Sequence, residues 1–188
     1  MATSQALAQD YDSDKLRELV VYIAHKSLGD RHFGATKLNK ILFFSDFTAY
    51  RQTGKSITGA VYQHLAQGPC PQKLLPLLNE MAEEDVTQLS EQVGSFVQKR
   101  LVPKRTADLR KFSGTEVAVV DRVLDDLFPM NAKQASDYSH DTIAWRVTAD
   151  RQEIPYGTAL LSGEEPTDAD LEWVEEVANS AALDCASQ

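Results

Sequence analysis

Cys70 is the first residue whose chemistry and position could support catalysis. It lies between two prolines just before a leucine-rich run, in the stretch AQGPCPQKL at residues 66–74. A thiolate at a helix N-terminus has a lowered pKa, and His64 or His140 could serve as its general base. The alternative is structural, because Pro71 suits the first position of a helix and Cys70 would then only occupy the cap.

The rest of the sequence does not reinforce a catalytic interpretation. No glycine run that could form an oxyanion hole follows Cys70, and no GxGxxG, Walker-type or HExxH motif occurs. The four histidines lack the spacing of metal ligands, and Cys70 is far along the chain from Cys185, so neither a metal site nor a disulfide framework is indicated. We therefore predict no catalytic residue, no cofactor and no metal ligand.

A second candidate site combines His140 with Trp145, five residues later, between a helix and an extended segment. The simpler interpretation is that His140 caps or bonds a nearby carbonyl while Trp145 fills the core. The functional alternative places both at the lip of a partner groove, because tryptophan is enriched at interfaces. The partner-binding candidates are Tyr62, His64, Gln67, Pro69, His140 and Trp145. The structural motif of the turn consists of Gly68, Pro69 and Pro71.

Composition indicates an ordinary globular protein with one domain. The chain has 188 residues, of which 43% are hydrophobic and 25% charged. Its N-terminus lacks the basic start and apolar region of a secretory signal, and no apolar run is long enough to cross a bilayer. We therefore expect a cytoplasmic location and no membrane partner.

The charge balance is acidic, with a formal net charge of −9 from 28 acidic and 19 basic side chains. Such a surface repels phosphate backbones, so we expect no direct nucleic-acid binding and instead a basic protein partner. One basic cluster departs from this balance, and we interpret it as a solvated hairpin and loop. Its members are Lys99, Arg100, Lys104, Arg105, Arg110 and Lys111.

Periodicity and capping signals predict the elements that must position these residues. We expect a first helix that is capped by Ser13 and ends near Lys26. Residues 36–55 are apolar on nearly all sides, which predicts a buried helix. A short strand follows at residues 59–69, and the helix after the proline turn should kink or start late at Pro76.

The second half of the chain is predicted to hold a hairpin that turns near residues 93–95 and a helix with a capping box formed by Ser113 and Glu116. Asn131 should cap a short helix, which is followed by another helical turn. The predicted fold class is α+β, a predominantly helical single domain around a buried central helix with a small antiparallel β-sheet and hairpin. The predicted domains are a flexible N-terminal tail at residues 1–12, the core domain at residues 13–162, and a C-terminal acidic helix and tail at residues 163–188.

Three segments follow one another along the chain: KLNKILFFSDFTAYRQTGKSITG, then HLAQGPCPQKLLPLLNEM, then SHDTIAWRV followed by EIPY. Together, over residues 16–161, they resemble the Panacea domain of the SocA-like antitoxin family. The chain departs from the family pattern at Cys70, where an aliphatic residue is usual, and at His64, where an aromatic residue often precedes Gly-Pro. The aliphatic preference implies that the thiol is not required and that GPCP is a turn.

The resemblance implies a bacterial or phage antitoxin that binds and neutralises a cognate toxin protein and has no enzymatic activity of its own. Members of the family pair with many unrelated toxins, and some act as adaptors that deliver the toxin to a protease, so both roles are implied here. Two alternatives from other classes stay open. One is a cysteine-dependent hydrolase or transferase that uses Cys70 with a histidine, and the other is a small transcriptional regulator, which would need a basic recognition helix.

Overall fold

The chain forms six α-helices and five β-strands over residues 10–93 and 96–161, the part that the computed structural model describes. The helices are α1 (Ser13–Lys26), α2 (Ala35–Thr53), α3 (Leu74–Met81), α4 (Gly114–Leu127), α5 (Ala132–His140) and α6 (Ile143–Arg146). The strands are β1 (Tyr62–Gln63), β2 (Cys70–Pro71), β3 (Val86–Val93), β4 (Phe96–Pro103) and β5 (Glu153–Ile154), and two 3-10 helices span Leu109–Lys111 and Tyr156–Leu160. The predicted acidic helix and tail at residues 163–188 lie outside the described residues. Among the described helices, none combines the length and the apolarity that a membrane span requires.

Helix α2 is the centre of the fold. Its residues Leu38 and Leu42 are fully buried, and helices α1, α4 and α5 pack against it. Phe43 and Phe47 of the same helix both contact the ring of Tyr62 edge-on, which joins α2 to the small sheet. The predicted fold, a mostly helical α+β domain around a buried central helix, is confirmed.

Both sheets are antiparallel. The smaller sheet has the strand order β2-β1-β5, so Tyr62 pairs with Pro71 on one side and with Ile154 on the other. The predicted hairpin joins β3 to β4 in a continuous register of eight residue pairs, and its turn at residues 94–95 lies outside the described residues. Strand β4 packs on α1 and α2, which attaches the hairpin to the helical core.

The helix after the proline turn starts later than Cys70. Cys70 and Pro71 form strand β2, and α3 begins at Leu74. The expected late start is confirmed, because Pro76 falls in the first turn of α3, where its missing N–H costs no intrahelical hydrogen bond. The interpretation that Cys70 occupies a helix cap is wrong, because its backbone pairs with Gln63 of β1 instead.

Side-chain caps define the starts of α4 and α5 as predicted. Ser113 and Glu116 form a reciprocal capping box at α4. Asn131 caps α5, and Gln134 completes a second capping box that the sequence analysis did not include.

Helix α1 is capped by Asp12 rather than by Ser13. The Asp12 carboxylate accepts a hydrogen bond from the N–H of Lys15 at 2.8 Å. The N–H of Asp12 donates to the carbonyl of Thr58 at 2.9 Å. Residues 10–12, which we predicted to belong to a flexible tail, therefore lie against the body of the domain.

A buried carboxylate attaches the loop after α2 to that helix. Asp46 is fully buried and accepts from the N–H and the hydroxyl of Thr58, at 2.8 and 2.6 Å, and from the hydroxyl of Tyr62 at 2.7 Å. Burial raises the pKa of Asp46, while the hydrogen bonds from Thr58 and Tyr62 favour its ionised form. These three bonds define the path of the chain from α2 to β1.

The basic cluster lies on the hairpin and the loop that follows it, as predicted, and Lys99, Lys104, Arg110 and Lys111 are exposed. Several of its side chains also bond to other parts of the domain, which the sequence did not predict. The Arg100 guanidinium donates to three carbonyls in the segment that follows α1, at 2.6 to 3.2 Å. The Lys104 ammonium donates to two carbonyls just after α3. Lys111 contacts a carboxylate at the start of α1. Basic side chains near helix C-termini stabilise the exposed carbonyls there, so these contacts attach the hairpin to the helices.

Arg105 makes the most extensive of these contacts. Its guanidinium donates to both carboxylate oxygens of Glu18, at 2.7 and 2.8 Å, and to Asp85 at 2.6 Å. The side chains of Glu18 and Asp85 are only 10% and 7% exposed. Burial by itself would raise the pKa of these carboxyl groups. The hydrogen bonds and the positive charge of Arg105 oppose burial at both groups, and Arg17 adds an ion pair to Asp85 at 2.7 Å. Together these contacts outweigh burial, so the pKa of each carboxyl group lies below its ordinary value.

Replacing Arg105 by Met should remove these ion pairs while keeping a long apolar side chain. We expect the free energy of unfolding at neutral pH to fall by about 2 kcal/mol, less than for a fully buried pair because Arg105 is 33% exposed. Because folding lowers the pKa of Glu18 and of Asp85, the stabilisation is present above about pH 4 and is lost as the pH falls further. Urea unfolding at neutral and at acidic pH measures both effects.

Arg110→Met is the matched control, because Arg110 pairs with Asp108 but is 91% exposed. This variant should unfold like the wild type. Equal losses in the two variants, or an Arg105→Met loss that is the same at neutral and acidic pH, would contradict the role that we assign to Arg105.

Candidate functional site

Three rings stack where the small sheet meets α5 and α6. Trp145 of α6 lies between His64, the residue after β1, and His140, the last residue of α5. The ring centroid of Trp145 is 3.2 Å from that of His64 and 4.3 Å from that of His140, and the planes are inclined by 20° and 18°. Trp145 is half-buried and also packs against the core, so it is both a core residue and a member of a surface stack.

Hydrogen bonds hold this stack in place. Thr142 caps α6, and its hydroxyl donates to the carbonyl of Ser139 at 2.7 Å, which fixes α6 against the end of α5. Nδ1 of His64 lies 3.0 Å from the hydroxyl oxygen of Thr148. Because that hydroxyl donates to carbonyls of α6, Nδ1 of His64 is the donor in this pair. The stack is therefore a positioned unit.

The turn at residues 65–69 packs between α2 and α5. The hydroxyl of Ser136 donates to the carbonyl of Gln67 at 2.6 Å, and the ammonium of Lys40 donates to the carbonyl of Pro69 at 3.0 Å. Gly68 has φ +97°, and a Cβ at this position would lie 2.5 Å from both Lys40 Nζ and Ser139 Oγ. Only glycine satisfies both the backbone conformation and this close approach.

An open cavity of about 280 Å³ lies between the first turns of α2 and this turn. Its lining combines one buried cation with amide, hydroxyl, thiol and small apolar groups. The lining residues are Thr36, Asn39, Lys40, Leu65, Ala66, Gln67, Gly68 and Cys70.

Cys70 does not have the surroundings of a reactive thiolate. It lies in a strand rather than at a helix N-terminus, and its side chain is half-buried. Burial raises the pKa of the Cys70 thiol, and the opposing charge of Lys40 does not outweigh this effect. Cys70 therefore lacks the helix N-terminus that would have lowered the pKa of its thiol, and this weakens the hydrolase alternative.

Five of the six partner-binding candidates belong to the ring stack or to the turn, and Tyr62 belongs to neither. Among the five, Gln67 lines the cavity. His64, His140 and Trp145 form the stack, while Gln67 and Pro69 belong to the turn beside it. Gln67 is exposed, but Pro69 is buried and contributes its carbonyl rather than its ring.

The structure does not support Tyr62 as a partner-binding residue. It is 1% exposed, and its hydroxyl donates to the buried carboxylate of Asp46. The alternation along β1 predicts that Tyr62 and His64 share one face, but Tyr62 is buried under Phe43 and Phe47. A direct contact between Tyr62 and a partner does not agree with this burial.

Sequence reasoning missed Lys40 and Asn39, which line the cavity, and Ser139, which touches the turn. The sequence did contain a signal for Lys40. Lys37 and Lys40 are spaced by one helical turn in a helix that is otherwise apolar on nearly all sides, so both had to be buried.

We expect Cys70 to react slowly with iodoacetamide at neutral pH, because burial raises its pKa and limits access to it. The rate can be followed by mass spectrometry in a Cys185→Ser background, in which Cys70 is the only thiol. The same chain unfolded in urea is the control and should react about tenfold faster or more. A native Cys70 that reacts as fast as the unfolded control would show an activated thiolate and restore the hydrolase alternative.

Comparison with known proteins identifies a family. No curated protein and no solved structure matches the chain significantly. A model of the family described as antitoxin SocA-like, Panacea domain, matches residues 38–146, which is more than half of the chain and includes most of α2, the proline turn, α5 and α6. The resemblance seen in the sequence is thereby confirmed, and the protein belongs to the SocA-like antitoxin family with a Panacea domain.

Proposed function

We propose that this protein is the antitoxin of a toxin–antitoxin system and neutralises a co-encoded toxin by binding it directly. The observation that carries the proposal is the family match over residues 38–146, which contains the ring stack and every residue that lines the cavity except Thr36. Neutralisation by binding is stoichiometric and needs no turnover. The raised pKa of Cys70 is consistent with a protein that does not use this thiol as a nucleophile.

The face formed by the turn, α5 and α6 has the properties of a protein-binding surface. Tyr138 and Val147 are 48% and 57% exposed, Gln67 is exposed, and Trp145 is half-buried. Interfaces typically combine such anchored aromatic side chains with exposed apolar and amide groups. Because the stack and the turn are held by hydrogen bonds, this face would lose little conformational entropy when it binds a partner.

The charge distribution favours a basic toxin. The net charge is −9, and Arg100, Lys104 and Arg105 use their donors within the domain rather than toward solvent. This internal use also weakens the transcriptional-regulator alternative, because a DNA-binding surface needs basic side chains that can reach phosphates. Attraction between an acidic antitoxin and a basic toxin would speed their association.

Co-expression with the adjacent gene tests the proposal. We expect the neighbouring product to arrest growth by itself, growth to recover when this protein is present, and the two proteins to purify as a complex. The abundance of the toxin in rescued cells separates two mechanisms, since direct blocking leaves the toxin in place whereas delivery to a protease removes it. If neither neighbour is toxic, or if toxicity persists with this protein abundant and folded, the antitoxin proposal fails.

The location of the binding face is tested by two matched substitutions. Val147→Arg places a bulky cation beside Trp145 on the proposed face, whereas Val97→Arg places the same side chain on strand β4. The two valines are 57% and 60% exposed, so neither change should unfold the domain. We expect Val147→Arg to weaken toxin binding by about tenfold or more and Val97→Arg to leave it unchanged. Calorimetric titration of each variant with the toxin measures this difference in affinity. Weaker binding by Val97→Arg with unchanged binding by Val147→Arg would indicate that the toxin binds the hairpin instead.

A further inference from the structure

Helix α2 carries two buried lysines whose hydrogen bonding differs. Lys37 is 1% exposed, and its ammonium donates to the carboxylate of Asp30 at 2.5 Å and to the carbonyls of Met130 at 2.7 Å and Phe128 at 3.1 Å. Three acceptors match the three protons of an ammonium group. Lys37 is therefore a fully paired structural residue.

Lys40, one turn further along the same helix, is equally buried, but its ammonium has fewer hydrogen-bond acceptors. Among the described residues, the carbonyl of Pro69 at 3.0 Å is the one acceptor within hydrogen-bonding distance of its ammonium. Burial therefore lowers the pKa of Lys40 to about 8, and the nearby Cys70 only partly opposes this effect. A buried ammonium with unused donors is costly, and its retention calls for an explanation.

Two further polar groups near Lys40 have no hydrogen-bond partner within the described part of the chain. Asn39 lines the same cavity as Lys40, and its Oδ1 is buried without a partner. Nε2 of His140 is likewise buried without a partner, and the charge of Lys40 contributes to the lowered pKa of His140, after the larger effect of burial. Rotation of the Asn39 amide by half a turn presents its NH₂ group, so Lys40 and Asn39, which both line the cavity, can each donate a hydrogen bond there. His140 is near Lys40 but does not line the cavity.

We propose that the cavity between the first turns of α2 and the proline turn binds a carboxylate group, with the Lys40 ammonium as its principal contact. One cation with neutral donors around it matches a single negative charge, whereas a phosphate dianion would require more positive charge than Lys40 supplies. The cavity of about 280 Å³ has the size for a small acid or for an acidic side chain.

The carboxylate can come from two sources, and these are separated by experiment. It can belong to an Asp or Glu side chain of the toxin, in which case the inference rests on the proposed function and names an anchor of that complex. It can also belong to a free carboxylic acid, which would make the cavity a ligand site independent of any toxin. Both sources share the same chemistry at Lys40.

Binding should depend on the protonation of Lys40. A bound carboxylate stabilises the charged ammonium, so binding should raise the pKa of Lys40 and should weaken as the pH rises above about 8. The other titratable groups around the ammonium are the Cys70 thiol and the His140 imidazole, and beyond the latter lie His64, Asp137 and Asp141. Burial raises the pKa of Cys70 and lowers that of His140, so both are neutral near pH 8 and do not supply the missing charge.

The first experiment uses the wild-type protein with acetate as the probe. Lysine side chains labelled with ¹³C are titrated by NMR in sodium acetate and in sodium chloride of equal ionic strength, and Lys40→Met and Lys37→Met identify the two signals. We expect the titration midpoint of Lys40 to rise by about one pH unit in acetate, a tenfold change in proton affinity, while the Lys37 signal is the same in both salts. Identical Lys40 titrations in both salts would overturn the proposal, as would a larger effect of inorganic phosphate than of acetate.

The second experiment separates binding from structure. Lys40→Met should melt at a temperature close to that of the wild type, because it removes a charge with a single hydrogen-bond acceptor in the described part of the chain. Lys37→Met should melt at a much lower temperature, because it leaves the buried carboxylate of Asp30 without its counter-charge. If Lys40→Met is destabilised as strongly as Lys37→Met, Lys40 is a structural residue and the proposal fails.

The same variants identify the source of the carboxylate. If the toxin supplies it, Lys40→Met should bind the toxin about tenfold more weakly than the wild type does. Unchanged toxin affinity together with a positive acetate titration assigns the site to a free acid. Absence of any toxin would defeat the proposed function but would leave the acetate result intact, so the two failures are distinguishable.

Discussion

The fold depends on the requirement that charged side chains buried on the central helix be paired. Helix α2 places Lys37, Lys40 and Asp46 in the core, each at most 1% exposed. An unpaired charge in such surroundings would cost several kcal/mol or more, so a partner must come to each one. The partners come from irregular segments: the chain after α4 reaches Lys37, the proline turn reaches Lys40, and Thr58 reaches Asp46. Lys37 and Asp46 thereby fix the paths of two of these connections, while Lys40 makes one hydrogen bond to the third.

The candidate site follows from these connections. Because the hydroxyl of Ser136 donates to the carbonyl of Gln67 and Gly68 packs closely against Ser139, the turn is fixed against α5. The rings of the stack are then brought together by elements that meet at this turn, and Thr148 orients His64 within it. A protein that neutralises another by binding it benefits from such a face, since little ordering entropy is lost on association.

Basic side chains attach the β3–β4 hairpin and the loop after it to the rest of this acidic protein. The hairpin is joined to α1 and to the segment after α3 chiefly through Arg100, Lys104 and Arg105, whose partners are carbonyl groups and nearly buried carboxylates. Several of the positive charges in the basic cluster bond within the domain, and the net charge of the chain is −9. This arrangement agrees with membership of an antitoxin family and with a basic protein as the partner.

The sequence by itself determined the features that depend on neighbouring residues. Helical periodicity located α2, the Ser113–Glu116 spacing located the start of α4, and the position of Pro76 required a late start of α3, because these patterns act through hydrogen bonds a few residues apart. The ordered motifs also sufficed for the family. Only the tertiary structure decided that Cys70 belongs to a strand and that Tyr62 is buried, because β1 acquires its neighbours from β2, across the proline turn, and from β5, far along the chain. A local pattern also could not predict the different roles of Lys37 and Lys40. The role of a buried lysine depends on which hydrogen-bond acceptors distant segments bring to its ammonium.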